Sequence, residues 1–175
     1  MNRKPFLVTR IALFSALVYV LSYGTSFFPN INLVFFIVFS AGFLWGMIPG
    51  MLVGIVGMGL WTMFNPFGPA ALPIMLAQVG GAGLSGVVGA IFRKSNWKDV
   101  SSISRIIKLI IASIICTVLF YIPVNIVDAW LWGPFEQRFI GGALWALISV
   151  GSNVVIFPLL FYITLKLYER EGRLR

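Results

Sequence analysis

A chain of 175 residues with 59% hydrophobic and 10% charged residues falls far outside the composition of a water-soluble domain, and its length allows about six lipid-spanning helices and no second domain. The formal charge of +8 would point to nucleic acid in a soluble protein, but here the cations gather at the ends of apolar stretches, as the positive-inside bias requires, so no nucleic-acid partner is expected. There is no His, and the single Cys, Cys116, lies inside an apolar run, which leaves zinc, haem and Cys–His nucleophile chemistry unsupported and predicts no cofactor.

The first span is predicted from Phe6 to Tyr23, after a basic start of Arg3, Lys4 and Arg10. No small-residue cleavage pattern follows it and it is long enough to span, so it reads as a helix and not as a cleaved signal peptide. Ala12 and Ala16 sit four residues apart near its basic end, bordered by Ser15, a small patch suited to docking a partner helix. Gly24-Thr25-Ser26 and Phe28-Pro29-Asn30 then break the pattern. A second span is predicted over Leu33–Trp45, a tight turn at Ile48-Pro49-Gly50, and a third span over Met51–Phe64. Both are short for a hydrocarbon core of about 30 Å.

The rigid connection Asn65-Pro66-Phe67-Gly68-Pro69 leads to a fourth span over Ala70–Phe92. The polar connection Arg93 to Arg105 carries a helix start at Ser101 or Ser102. A fifth span covers Ile106–Ile122, where Pro123 is expected to kink or end it. A Trp-rich outer segment, Asp128 to Arg138, precedes a sixth span over Phe139–Leu165 and a charged tail, Lys166 to Arg175. The basic clusters share one side of the bilayer only if an even number of spans separates them. The predicted architecture is therefore an all-α integral-membrane bundle of six transmembrane helices, one domain over residues 1–175, with both termini cytoplasmic and Arg138 the single basic residue outside.

Small residues recur every four positions at Gly42, Gly46, Gly50 and Gly54, and again at Ala77, Gly81, Ser85 and Gly89. Such faces let helix backbones approach closely in lipid, and internal packing of the bundle is their expected role.

Phosphate-binding loops, zinc-protease patterns, Ser–His pairs and paired carboxylates within a span are all missing, so the chain does not read as an enzyme. Polar and aromatic side chains instead gather toward the outer side. Tyr121, Asn125, Asp128 and Trp132 fall on one face if the fifth helix continues past Pro123. Trp61 and Asn65 are four apart, Gln78 lies in the fourth span, Trp145, Ser149, Ser152 and Asn153 follow one face of the sixth, and Arg138 stands at the outer edge. Together they are expected to line one outward-facing cavity suited to a flat, mostly neutral ring-bearing ligand. An interfacial aromatic belt, amide groups that only tie helices together, and a solvated outer ion pair explain the same residues without a ligand.

The run Ala12-Leu13-Phe14-Ser15-Ala16, the stretch Ser40-Ala41-Gly42-Phe43-Leu44-Trp45-Gly46 and the following Pro49-Gly50 and Gly54, on a six-span chain of this length, resemble the substrate-binding S component of energy-coupling factor (ECF) transporters. That family's glycine–proline pattern differs in order from Gly46-Met47-Ile48-Pro49-Gly50 here. The resemblance implies a subunit of a bacterial or archaeal cytoplasmic membrane that captures a vitamin or related micronutrient at the outer face. It implies docking through Ala12 and Ala16 onto a coupling membrane subunit that carries two ATPases, with delivery by toppling of the loaded subunit. No motif selects one vitamin. The structural rival is a cell-shape membrane protein resembling rod-shape factor D, which has no small-molecule ligand. A stand-alone ion-coupled transporter would need an ionisable residue near the midplane, and none is apparent.

Overall fold

The computed structural model describes residues 3–28, 30–95, 97 and 101–173. Pro29, Lys98 and Asp99 of the predicted connections and Arg175 of the predicted tail lie outside the described residues. Six helices follow in order: α1 (Arg3–Thr25), α2 (Val34–Trp45), α3 (Met47–Phe64), α4 (Leu72–Arg93), α5 (Ser102–Trp132) and α6 (Phe135–Arg173). All but α2 are long and apolar enough to cross a membrane, which makes the chain a multi-pass membrane protein.

Helix α2 is different in kind. Its 12 residues rise about 18 Å, well short of a bilayer core. It carries no polar face, and every residue from Val34 to Leu44 is buried, the arrangement expected of a helix that is apolar all round. The other five helices pack around it. Phe39 sits at the centre of an aromatic column, with Phe157 5.2 Å, Phe92 6.0 Å and Phe43 6.2 Å away between ring centroids, and Phe43 continues it to Trp97 and Phe161.

The tight turn predicted at Ile48-Pro49-Gly50 is not there. The chain reverses one turn earlier at Gly46, whose φ of 101° is open to glycine and strained for other residues. Gly46 N–H donates to the Gly42 carbonyl at 2.9 Å while its own carbonyl accepts from Gly50 N–H at 3.1 Å, so one residue closes α2 and opens α3. Pro49 lies in the first turn of α3, where a missing N–H removes no helical bond.

Pro123 does not end the fifth span either. Helix α5 runs through it to Trp132, 31 residues and about 46 Å, and α6 likewise runs through Pro158. The predicted outer segment Asp128 to Arg138 is instead the end of α5, a turn at Gly133 and Pro134, and the start of α6. The start of α5 falls where the sequence put it: Ser101 caps the helix, its hydroxyl accepting from Ser104 N–H at 3.3 Å.

The glycine stripes pack α2, α3 and α4 into a backbone-to-backbone wedge. A Cβ on Gly42 would overlap the Gly86 carbonyl, and one on Gly86 would overlap the backbone of Gly50. Gly54 abuts Ala82, and Gly89 abuts the Phe39 carbonyl. Gly86, central to this wedge, belongs to neither predicted stripe. Gly81 serves a different contact, against the α5 backbone at Phe120.

The starts of α1, α3 and α5 and the ends of α2, α4 and α6 meet at one basic end. There Glu171 accepts from Arg10 at 3.0 Å and from the Trp45 indole at 2.9 Å, Lys108 donates to Ser95 at 2.7 Å, Arg105 donates to the Trp97 carbonyl at 3.1 Å, and Arg93 lies 5.3 Å over the Tyr168 ring. The opposite, loop end holds the α1–α2 connection, the α3–α4 connection and the α5–α6 turn.

Candidate functional site

At the loop end the chain leaves α1 and crosses the seam between α5 and α6 before entering α2. The crossing residue is Asn30, at a φ of 56° that Asn tolerates better than most side chains. Its amide donates to the Trp145 carbonyl at 2.8 Å and its side-chain oxygen accepts from the Tyr121 hydroxyl at 3.2 Å. Its backbone carbonyl accepts from the Ser149 hydroxyl at 2.7 Å, with Ser152 at 3.5 Å. The Tyr121 and Ser149 oxygens lie 2.8 Å apart as well, so two hydroxyl hydrogens are shared among three contacts. A single loop residue is thus latched to both long helices.

Asn153 lies one turn further into the bundle. It is fully buried, and its amide donates to the Ser149 carbonyl at 2.8 Å. A carbonyl only accepts, so this bond fixes which end of the side chain is nitrogen. The remaining atom, Asn153 Oδ1, is buried with no partner among the described residues. An unsatisfied acceptor at membrane depth costs free energy until a donor reaches it.

One turn outward from Tyr121, Asn125 packs on Gly142 of α6, where any Cβ would collide with its amide at 2.7 Å. Neither Asn125 nor Gln78, both partly buried, has a hydrogen-bond partner among the described residues. Asp128 and Arg138 close the seam outward with an ion pair at 3.1 Å. Both are substantially exposed, so the pair contributes little to stability.

The sequence-predicted residues therefore divide. Tyr121, Asn125, Asp128, Arg138 and Asn153 share the α5–α6 seam. Trp145 joins through its carbonyl only, its side chain being exposed. Trp132 is exposed at the end of α5. Trp61 and Asn65 lie apart at the end of α3: Trp61 packs edge-on against Tyr23 at 6.4 Å, and Asn65 is committed to its own turn. The Asn65 amide donates to the Gly68 carbonyl at 2.8 Å and its oxygen accepts from Phe67 N–H at 2.9 Å. Gln78 stands on α4, one turn outward of the Gly81 contact with α5. Ala12 and Ala16 lie exposed on α1, while Ser15 turns inward to the Val53 carbonyl at 3.4 Å.

Sequence reasoning did not include Asn30 in the site. Its signal was an αL-tolerant residue in a short break between two apolar helices, which reads only as a turn until its partners 91 to 122 positions away are known. Comparison of the chain with protein-family models, with curated proteins and with solved structures finds no match.

Proposed function

We propose that the chain is a solute-capturing membrane subunit of the ECF S-component type, binding and not transforming a neutral, ring-bearing micronutrient at its loop end. The carrying observation is the Asn30 latch over a seam whose deepest amide, Asn153, keeps a buried acceptor unpaired. In this reading the α1–α2 connection is the door, and Asn153 Oδ1, Asn125 and Gln78 supply the directed bonds to the solute. All six helices lie across a bacterial or archaeal cytoplasmic membrane, the basic end faces the cytoplasm, and α2 is carried inside its neighbours. The exposed Ala12–Ala16 face of α1 meets a coupling subunit that brings two ATPases, since the chain has no nucleotide site of its own.

The test is identification of solute co-purified with the protein by mass spectrometry, followed by titration of candidate vitamins on tryptophan fluorescence. A ligand with Kd in the micromolar range or tighter is expected. Ala16→Trp should keep that affinity and abolish uptake in cells, and unimpaired uptake would remove the docking role.

A second reading has one observation in its favour: Tyr121, Ser149 and Asn30 engage one another without a solute, as in a structural protein of the rod-shape type. It expects no binding to any vitamin and loss of cell shape on deletion.

A further inference from the structure

Helices α1 and α6 flank α2 but, among the described residues, do not pack on each other; the Arg10–Glu171 ion pair joins them at the basic end. The gap is a groove of about 250 Å³, with Phe14 and Leu17 on one wall, Leu160 and Ile163 on the other, and Phe36 and Ile37 on its floor. Leu17, Ile163 and Leu167 are all exposed, so the groove opens sideways. The two hydroxyls along it, Ser40 and Thr164, bond each other at 2.8 Å and make no demand on an occupant.

We propose that this groove seats one acyl chain of an anionic phospholipid, with the headgroup held by Lys166 and Arg170. Three observations select that occupant. The groove is a slender opening of about 250 Å³ along the roughly 18 Å of α2, which an extended chain can enter while a further helix, about 10 Å across, can only lie over it. Apart from the paired Ser40 and Thr164 hydroxyls, the lining is alkyl and aromatic. Toward the basic end, Ile163 and Leu167 are shared with a second, wider concavity of about 570 Å³ that carries Lys166 and Arg170 beside one carboxylate, Glu169, and so stays net positive. Lys166 lies 4.5 Å over the Tyr162 ring, and Arg170 has no ion pair or hydrogen bond among the described residues. An apolar slot that opens onto two exposed cations matches a lipid tail followed by a phosphate. The inference needs only a membrane-embedded chain and stands apart from the proposed solute.

The protein, reconstituted in nanodiscs of equal phosphatidylglycerol and phosphatidylcholine, is released for native mass spectrometry. One retained phosphatidylglycerol is expected, preferred about tenfold over phosphatidylcholine. Lys166→Gln with Arg170→Gln should keep one lipid and lose the headgroup preference. Ile163→Trp should fill the slot and retain neither lipid, while Leu13→Trp, on an exposed part of α1 outside the groove, should match the parent. Leu17→Trp on the opposite wall repeats the block if Ile163→Trp is not monodisperse. Equal retention of both lipids by the parent, or undiminished retention in the blocked variants, overturns the proposal. A protein dimer that both blocked variants abolish would assign the groove to a second copy and overturn it equally.

Discussion

The α2–α3–α4 wedge and the α5–α6 seam sit in the same bundle and are held by opposite means. In the wedge, Gly42, Gly50 and Gly86 bring backbones so close that not even a methyl group fits. Such packing is dense, apolar and indifferent to water or solute. In the seam, the contact between helices runs through Asn30, Tyr121 and Ser149, and one amide, Asn125, and one buried acceptor, Asn153 Oδ1, remain unspent among the described residues. A hydrogen-bonded latch exchanges partners when a competitor arrives, whereas a backbone wedge has nothing to exchange. Rigidity and responsiveness are divided between two sets of helices.

The largest effect that would break this contrast is Gly86→Leu. Four added carbons have no space between Gly42 and Gly50, so the fold should lose at least about 3 kcal/mol, read as loss of monodisperse protein or a sharply lower Tm in detergent. A variant that melts with the parent would mean the wedge is not tight.

Asn153→Leu sharpens the other side. Removing an unpaired buried acceptor should leave the solute-free protein as stable as the parent or more so, while solute affinity falls by about 1–3 kcal/mol. Lower stability with unchanged Kd would make Asn153 a structural tie. Tyr121→Phe removes one hydroxyl from the latch and should cost about 1 kcal/mol in thermal stability, with faster hydrogen exchange at the amides around Asn30. Exchange unchanged at those amides would show that the loop is held by something else. Arg138→Gln should change stability by under about 0.5 kcal/mol, because its partner Asp128 is exposed, and a larger loss would extend the latch outward to that pair.

Much of the wedge was legible in the sequence and little of the seam. Gly42, Gly50, Gly54 and Gly89 announce themselves by a four-residue period, because a helix places every fourth residue on one face. The order of the apolar stretches was readable for the same reason: hydropathy is a local sum. Prolines were ambiguous: Pro49 reads as a turn but fits the first turn of a helix equally well, and Pro123 was expected to kink or end α5, of which the ending is not found. The column Tyr121, Asn125, Asp128 was found by spacing, yet the residue that organises it, Asn30, has no periodic partner. Trp61 and Asn65 have the right chemistry at the right end of the molecule. The seam they were expected to join is formed by other helices, and Asn65 spends its hydrogen bonds on Phe67 and Gly68.

The shortness of α2 bears on how the chain is made. A segment rising about 18 Å offers too little apolar length to be released into lipid by itself during synthesis. With Gly46 as the single residue between them, α2 and α3 form a helical hairpin, and α3 supplies the apolar length that α2 lacks. Residues 34–64 then act as one unit toward the lipid, and a chain ending between the two helices should hold α2 in the membrane less well than one that runs to Phe64.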